Sequence, residues 1–187
     1  MQLRDRVESS SQPQRLDRID TGQTYAQLMD SSLFRTFQFK ERQRGANGAL
    51  QRHVLSPSPF EDAVTLTVDT NSAGRIVAAS LLVGKPWFAN HLRTGLDLAK
   101  CFVNAFAPLT ELAPYQSVSD ALWNLRTPHF LNTLVDHASD ESDPSQCARA
   151  FVGLLRSAQV RTELARLSIE NVARENQRLT QIAFELH

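Results

Sequence analysis

Cysteine is scarce in this chain. Cys101 and Cys147 are the only two among 187 residues, too few for a disulfide framework or a cysteine-based zinc site. Net charge is absent as well. Lys plus Arg and Asp plus Glu are 20 each, so nothing draws the whole molecule toward nucleic acid or an anionic membrane, and such an attraction would need a local patch. Only three of the cations, Lys40, Lys85 and Lys100, are lysines. The longest apolar run is about IVAASLLVG, far below the ~20 residues that span a bilayer. The first twenty residues hold no apolar stretch of the kind a signal peptide carries. These absences lead to the expectation of a soluble, cytoplasmic protein with no membrane partner.

Chemical motifs are missing too. G-x-S-x-G, H-E-x-x-H and G-x-G-x-x-G do not occur, and the scattered His, Ser and Asp residues define no triad without geometry. No catalytic residue, metal site or cofactor is assigned. The stretch most like a site is DTNSAG, residues 69–74. A calcium loop would use Asp69, Asn71 and Gly74, but Ala73 stands where an oxygen ligand belongs and Ser80 where the bidentate Glu is needed. A phosphate loop fails on the spacing from Gly74 to Gly84-Lys85 and on Pro86. A turn accounts for every residue: Asp and Asn cap their own backbone and Gly supplies positive φ. Asp136, His137 and Asp140 at a helix end lack a fourth ligand, and His129 is about two turns from His137. Cys147 sits near a helix start, where a thiolate is favoured, but Asp140, Glu141 and Asp143 oppose that charge. Cys101, on an apolar helical face, reads as core.

What is present is pattern. Residues 1–22 mix charges with small polar residues and read as a flexible arm. Thr24 and Gln27 have capping-box spacing and start a short helix. Period-two alternation follows in FRTFQFKERQR, where Phe37 and Phe39 alternate with Gln38 and Lys40. It recurs in ALQRHVL and in residues 64–69, while RIVAASLLV is apolar on both faces. These four strands, joined by short turns, predict an antiparallel meander. After Pro86 the pattern becomes helical, with starts at Thr94, Ser117 and Thr127-Pro128. The sequence thus predicts an α+β core over residues 23–143, with helices covering one face of the sheet.

From Pro144 to Leu186 no further proline occurs, and Gly153 is the only glycine. Apolar residues recur at steps of four and three from Phe151 to Leu186, which predicts one long C-terminal helix over 144–187. Its seam nominates Ile169, Val172, Asn176, Leu179, Ala183 and Leu186 as a dimer interface, with Asn176 as a buried amide setting register. Leu154, Leu164, Leu167 and Ile182 lie off that seam. The leading functional expectation is therefore a non-enzymatic interaction protein that pairs with itself, or with another protein, through this helix. The alternative is nucleic-acid binding by a basic hairpin carrying Arg35, Lys40, Arg42, Arg44 and Arg52 against Glu41 alone. An enzyme without a recognisable motif is the third.

Overall fold

The computed structural model describes residues 22–108, 110–130, 132, 144–174 and 176–187. The chain opens with two short helices, α1 (Tyr25–Met29) and α2 (Ser32–Phe37). Thr24 caps α1 as expected: its hydroxyl accepts from Gln27 N–H, and the Gln27 side chain accepts from Thr24 N–H. Phe37 ends α2 instead of lying in a strand. Gln38 takes a left-handed conformation, φ 52°, that closes the helix and turns the chain. Phe37 and Phe39 are consequently both buried although only one of them is extended. Four strands follow: β1 (Phe39–Asn47), β2 (Leu50–Pro57), β3 (Val64–Thr70) and β4 (Ile76–Gly84). Each pairs antiparallel with the next.

The DTNSAG segment is the β3–β4 reversal. The Asn71 side-chain oxygen accepts from Ala73 and Arg75 N–H at 3.0 Å each, and Gly74 supplies φ 72°. Asp69 faces away from this loop and pairs with Arg52.

Helices then cross one face of the sheet: α3 (Lys85–Asn90), α4 (Leu92–Phe106), α5 (Leu112–Asn124) and α6 (Pro144–Phe151). α5 starts five residues before the expected cap at Ser117, with Pro114 in its first turn, where a missing N–H is harmless. Residues 128–130 are helical. Asp136, His137 and Asp140 lie outside the described residues.

The expected four-stranded sheet and long C-terminal helix are both overturned. Helix is present only to Phe151, where Gly153 at φ 86° stops it. The remainder forms β5 (Ser157–Arg161), β6 (Ala165–Arg174) and β7 (Gln177–Leu186). β7 pairs antiparallel with β4, which gives a curled seven-stranded sheet, a half-barrel, in the order β1-β2-β3-β4-β7-β6-β5. Residues off the helical seam, Leu167 and Ile182 among them, explain the change. Ile169 pairs with Ile182 and Leu167 with Phe184, and all four face the core. Period two accounts for the buried positions within each strand, whereas the 3-4 step misses five of the eight. Asn176 is no buried amide. It sits exposed in the β6–β7 turn at φ 68°, a conformation Asn tolerates well.

The core lies between the sheet and the helices. Leu66, Leu81, Ile169, Ile182 and Phe184 from the sheet meet Leu96, Phe102, Phe106, Tyr115 and Leu122 from the helices, all at most 1% exposed. Tyr115 also reaches across polar ground, 2.8 Å from Thr162 Oγ1 and donating to Ala165 O at 3.1 Å. Its hydroxyl thereby ties α5 to the β5–β6 connection, and burial pushes its pKa up. No helix among the described residues is long and apolar enough to cross a membrane.

Candidate functional site

Three places in this fold gather chemistry or leave a surface open. The first is the end of the sheet under α1. A β-bulge between Glu41 and Gln43 turns Glu41 and Arg44 toward the same face as His53. The Glu41 carboxylate accepts from Arg44 Nε at 2.8 Å and Arg44 NH2 at 3.1 Å, and from the Tyr25 hydroxyl at 3.0 Å. It also lies 2.8 Å from His53 Nδ1, which must carry the proton because a carboxylate only accepts. The guanidinium of Arg44 first, with His53 and Tyr25 after it, holds the Glu41 carboxyl down from 4.5 to about 2. Tyr25 stacks on His53 with ring centroids 4.0 Å apart. Its burial, then its bond to Glu41, raises its pKa.

In order, Glu41, His53 and Thr70 read carboxylate, imidazole, hydroxyl, with His53 Nε2 3.4 Å from Thr70 Oγ1. That sequence of groups resembles a nucleophile relay. Its setting does not, because His53 is 3% exposed, Thr70 is 1% exposed and the Tyr25 ring lies flat over the imidazole. No substrate atom reaches Thr70 while that lid stays in place, and the network serves to lash α1 to the sheet. It should be acid-sensitive. A carboxyl depressed in the folded state contributes stability that is present above about pH 4.5 and is lost as pH falls through about 2. Denaturant titrations between pH 5 and pH 2 should show a stability slope in that window, shallower in Glu41→Gln; equal slopes would remove Glu41 as its source.

The same network decides the fate of the basic hairpin. Arg44 pairs with Glu41, Arg52 forms a two-pronged bond to Asp69 at 2.8 and 2.7 Å, and Arg42 pairs with Glu61. Asn47 adds a third donor to Asp69 at 3.1 Å. Arg35 is not on the hairpin at all but on α2. Of the five cations, only Arg35 and Lys40 are without an acidic partner among the described residues. The linear count overlooked this because Glu61 and Asp69 come from outside the stretch.

The second place is the face of the sheet that no helix covers among the described residues. Side chains alternate, so β3, β4, β7 and β6 turn Thr65, Thr67, Ala78, Ser80, Leu82, Gln181, Ala183 and Ser168 away from the helices. All are half-buried. A single row crosses five strands as Thr67, Ser80, Ala183, Ser168 and Gln159. None of these residues is charged. Charges flank them: Arg52 and Asp69 at one side, Arg166 paired with Glu185 in the neighbouring row, and Glu170 opposite Gln181. Of the nominated interface residues, Val172, Leu179 and Ala183 are brought to this face, Ile169 and Leu186 are buried in the core, and Asn176 is in a turn. The sequence signal for this face is RIVAASLLV, apolar on both sides.

The third place is a groove among the helices beside Lys85, which no motif marks. Among the described residues, no group of three His, Cys, Asp or Glu side chains is placed to hold a metal. Cys147 is fully buried. Burial raises the pKa of the half-buried Cys101 thiol.

The chain matches no family model, no curated protein and no solved structure.

Proposed function

We propose that this is a non-enzymatic interaction protein of the cytoplasm that works as a homodimer, its two copies meeting through the uncovered face of the sheet. One observation carries the reading: the middle row of that face, Thr67, Ser80, Ala183 and Ser168, is uncharged while both signs of charge flank it. Near a two-fold axis each residue faces its own copy, so a charged centre would set like against like. Short, uncharged side chains such as Ser80, Thr67 and Ala183 avoid that repulsion and let two sheets approach to about 10 Å. Depletion of charge at the middle with a polar rim is also the composition of an interface core.

The sheet edges are poorer candidates. β1 carries a bulge and the charges Lys40, Glu41, Arg42 and Arg44, and β5 is only five residues long. The cytoplasmic assignment draws on two cysteines that form no disulfide with each other.

Magnitude sets the experiment. Seven strands about 4.8 Å apart, each offering about five residues, present on the order of 500 Å² per copy. That is the low end for specific association, so a Kd of about 1–100 μM is expected. Sedimentation across that range should show the mass rising from 21.0 kDa toward twice that value. Ala183→Arg and Ser80→Lys, which point outward, should hold it at one chain with unchanged thermal unfolding. A wild-type protein that stays at one chain throughout, or variants that pair as well as it does, would sink the proposal.

A further inference from the structure

The groove beside Lys85 holds about 430 Å³, within the range of small-molecule sites. Its walls come from four helices: Phe88 of α3, Leu92 at the start of α4, Leu125 closing α5, and Phe151 and Val152 ending α6. Phe88 and Phe151 meet edge to face at 4.8 Å, which joins two of the walls. The third anchor is Gly95, because any Cβ there would overlap the Phe88 ring. The groove is thus held open by packed aromatic side chains.

Polarity inside it is already satisfied. The Thr180 hydroxyl at its floor donates to Asn171 Oδ1 at 3.1 Å, and Asn171 Nδ2 donates to Ala150 O and Leu155 O at 2.8 Å each. One polar group is left over. The Lys85 ammonium forms no hydrogen bond or ion pair among the described residues. It lies 3.5 Å from where a Cβ on Gly153 would stand, in space that the absent side chain leaves open. Leu92, on the rim, is 43% exposed, an apolar surface turned toward water beside a cation.

We infer that this groove binds an aliphatic monocarboxylate, free in solution, with the carboxylate on Lys85 and the chain along Phe88, Leu92, Leu125 and Val152. Both halves of the ligand follow from the walls. The lining offers no unsatisfied donor or acceptor for a polar body, and the one unmatched charge is positive and at the lip. A neutral chain leaves the ammonium unmatched, and a cationic one is repelled. The site is on the helical side of the sheet, so it is independent of the pairing proposed for the opposite face.

Titration calorimetry of the full chain with octanoate, decanoate, decanol and decylamine, each below its micelle concentration, tests this. Saturable binding at one site per chain is expected, tightening about twofold to fourfold for each added CH2. Decanoate should bind about tenfold more tightly than decanol, as expected for a partly exposed charge-assisted contact. Lys85→Met, which keeps the aliphatic stem, should bring decanoate down to the level of decanol. Ala89→Trp, at an exposed position on the groove wall, should block every chain while leaving the fold intact. Absence of saturable binding, affinity indifferent to chain length, decylamine binding as well as decanoate, or Lys85→Met binding like wild type would each overturn the assignment.

Discussion

Ile169→Asp is expected to unfold the protein. Ile169 is 0% exposed on the core face of β6, opposite Ile182 on β7 and Ala158 on β5. Replacing it removes a buried aliphatic side chain and puts a carboxylate, with no donor facing it, in its place. The lost burial alone costs about 2–4 kcal/mol, and the unpaired polar group adds to that. A total above about 4 kcal/mol takes away much of the roughly 5–15 kcal/mol by which a domain is stable. Far-UV circular dichroism and urea denaturation report the loss. The neighbours give the control. Ser168 and Glu170 face the other way, so Ser168→Asp and Glu170→Gln should each stay within about 1 kcal/mol of wild type. Sensitivity alternating with period two is the signature of a strand. An Ile169→Asp protein that kept its stability but fell from two chains to one would restore a helix seam and refute β6.

Gly95→Ala is the second large effect, and its sign is unusual. Within a helix, glycine to alanine ordinarily stabilises by about 0.5–1 kcal/mol. Gly95 is buried in α4, and a Cβ built there lies 2.3 Å from Phe88 Cδ2 and 2.6 Å from Cε2. Phe88 cannot yield cheaply, because its ring is packed edge-on against Phe151. α3 has to shift as a body, an overpacking cost of about 1–3 kcal/mol. For a chain of this length that corresponds to roughly 3–10 °C in Tm. Phe88→Leu should recover part of the loss in the double variant, and a double-mutant cycle measures the coupling. A Gly95→Ala protein that melts higher than wild type would show that Phe88 does not lie on α4.

How much of this was legible in the sequence differs element by element. The capping box at Thr24 and Gln27, the strand alternation of residues 50–55 and 64–69 and the two-faced apolar run of residues 75–83 are local, and a cap or strand appears at each. The turn at Asn71 and Gly74 was readable for the same reason: its hydrogen bonds close within a few residues. Residues 157–186 were misread because their apolar residues fit two periods at once. Ile169, Val172, Leu179, Ala183 and Leu186 step by three, four and seven, yet Leu167 and Ile169 on β6, and Ile182, Phe184 and Leu186 on β7, step by two. A single sequence does not choose between them, since each presents a plausible buried stripe. The choice is made by β4, whose Ala79 and Leu81 need partners on the core face and find them in Phe184 and Ile182, a hundred residues away.

Charge followed the same division. The basic count over residues 35–52 was correct as arithmetic, but Glu61 and Asp69 reach it only through the β2–β3 pairing and the loop after β2. Composition and local spacing by themselves determined the α+β class with an antiparallel sheet, the first cap, the β3–β4 turn and the lack of any recognisable catalytic motif, because those depend on contacts a few residues apart. Tertiary structure alone decided that residues 157–186 form strands, that Arg42, Arg44 and Arg52 are matched, and that, among the described residues, the Lys85 ammonium is left over beside an apolar groove and one sheet face is left open. Each of these is set by which distant segment arrives to satisfy a group, and chain closure over long loops leaves no local trace of that.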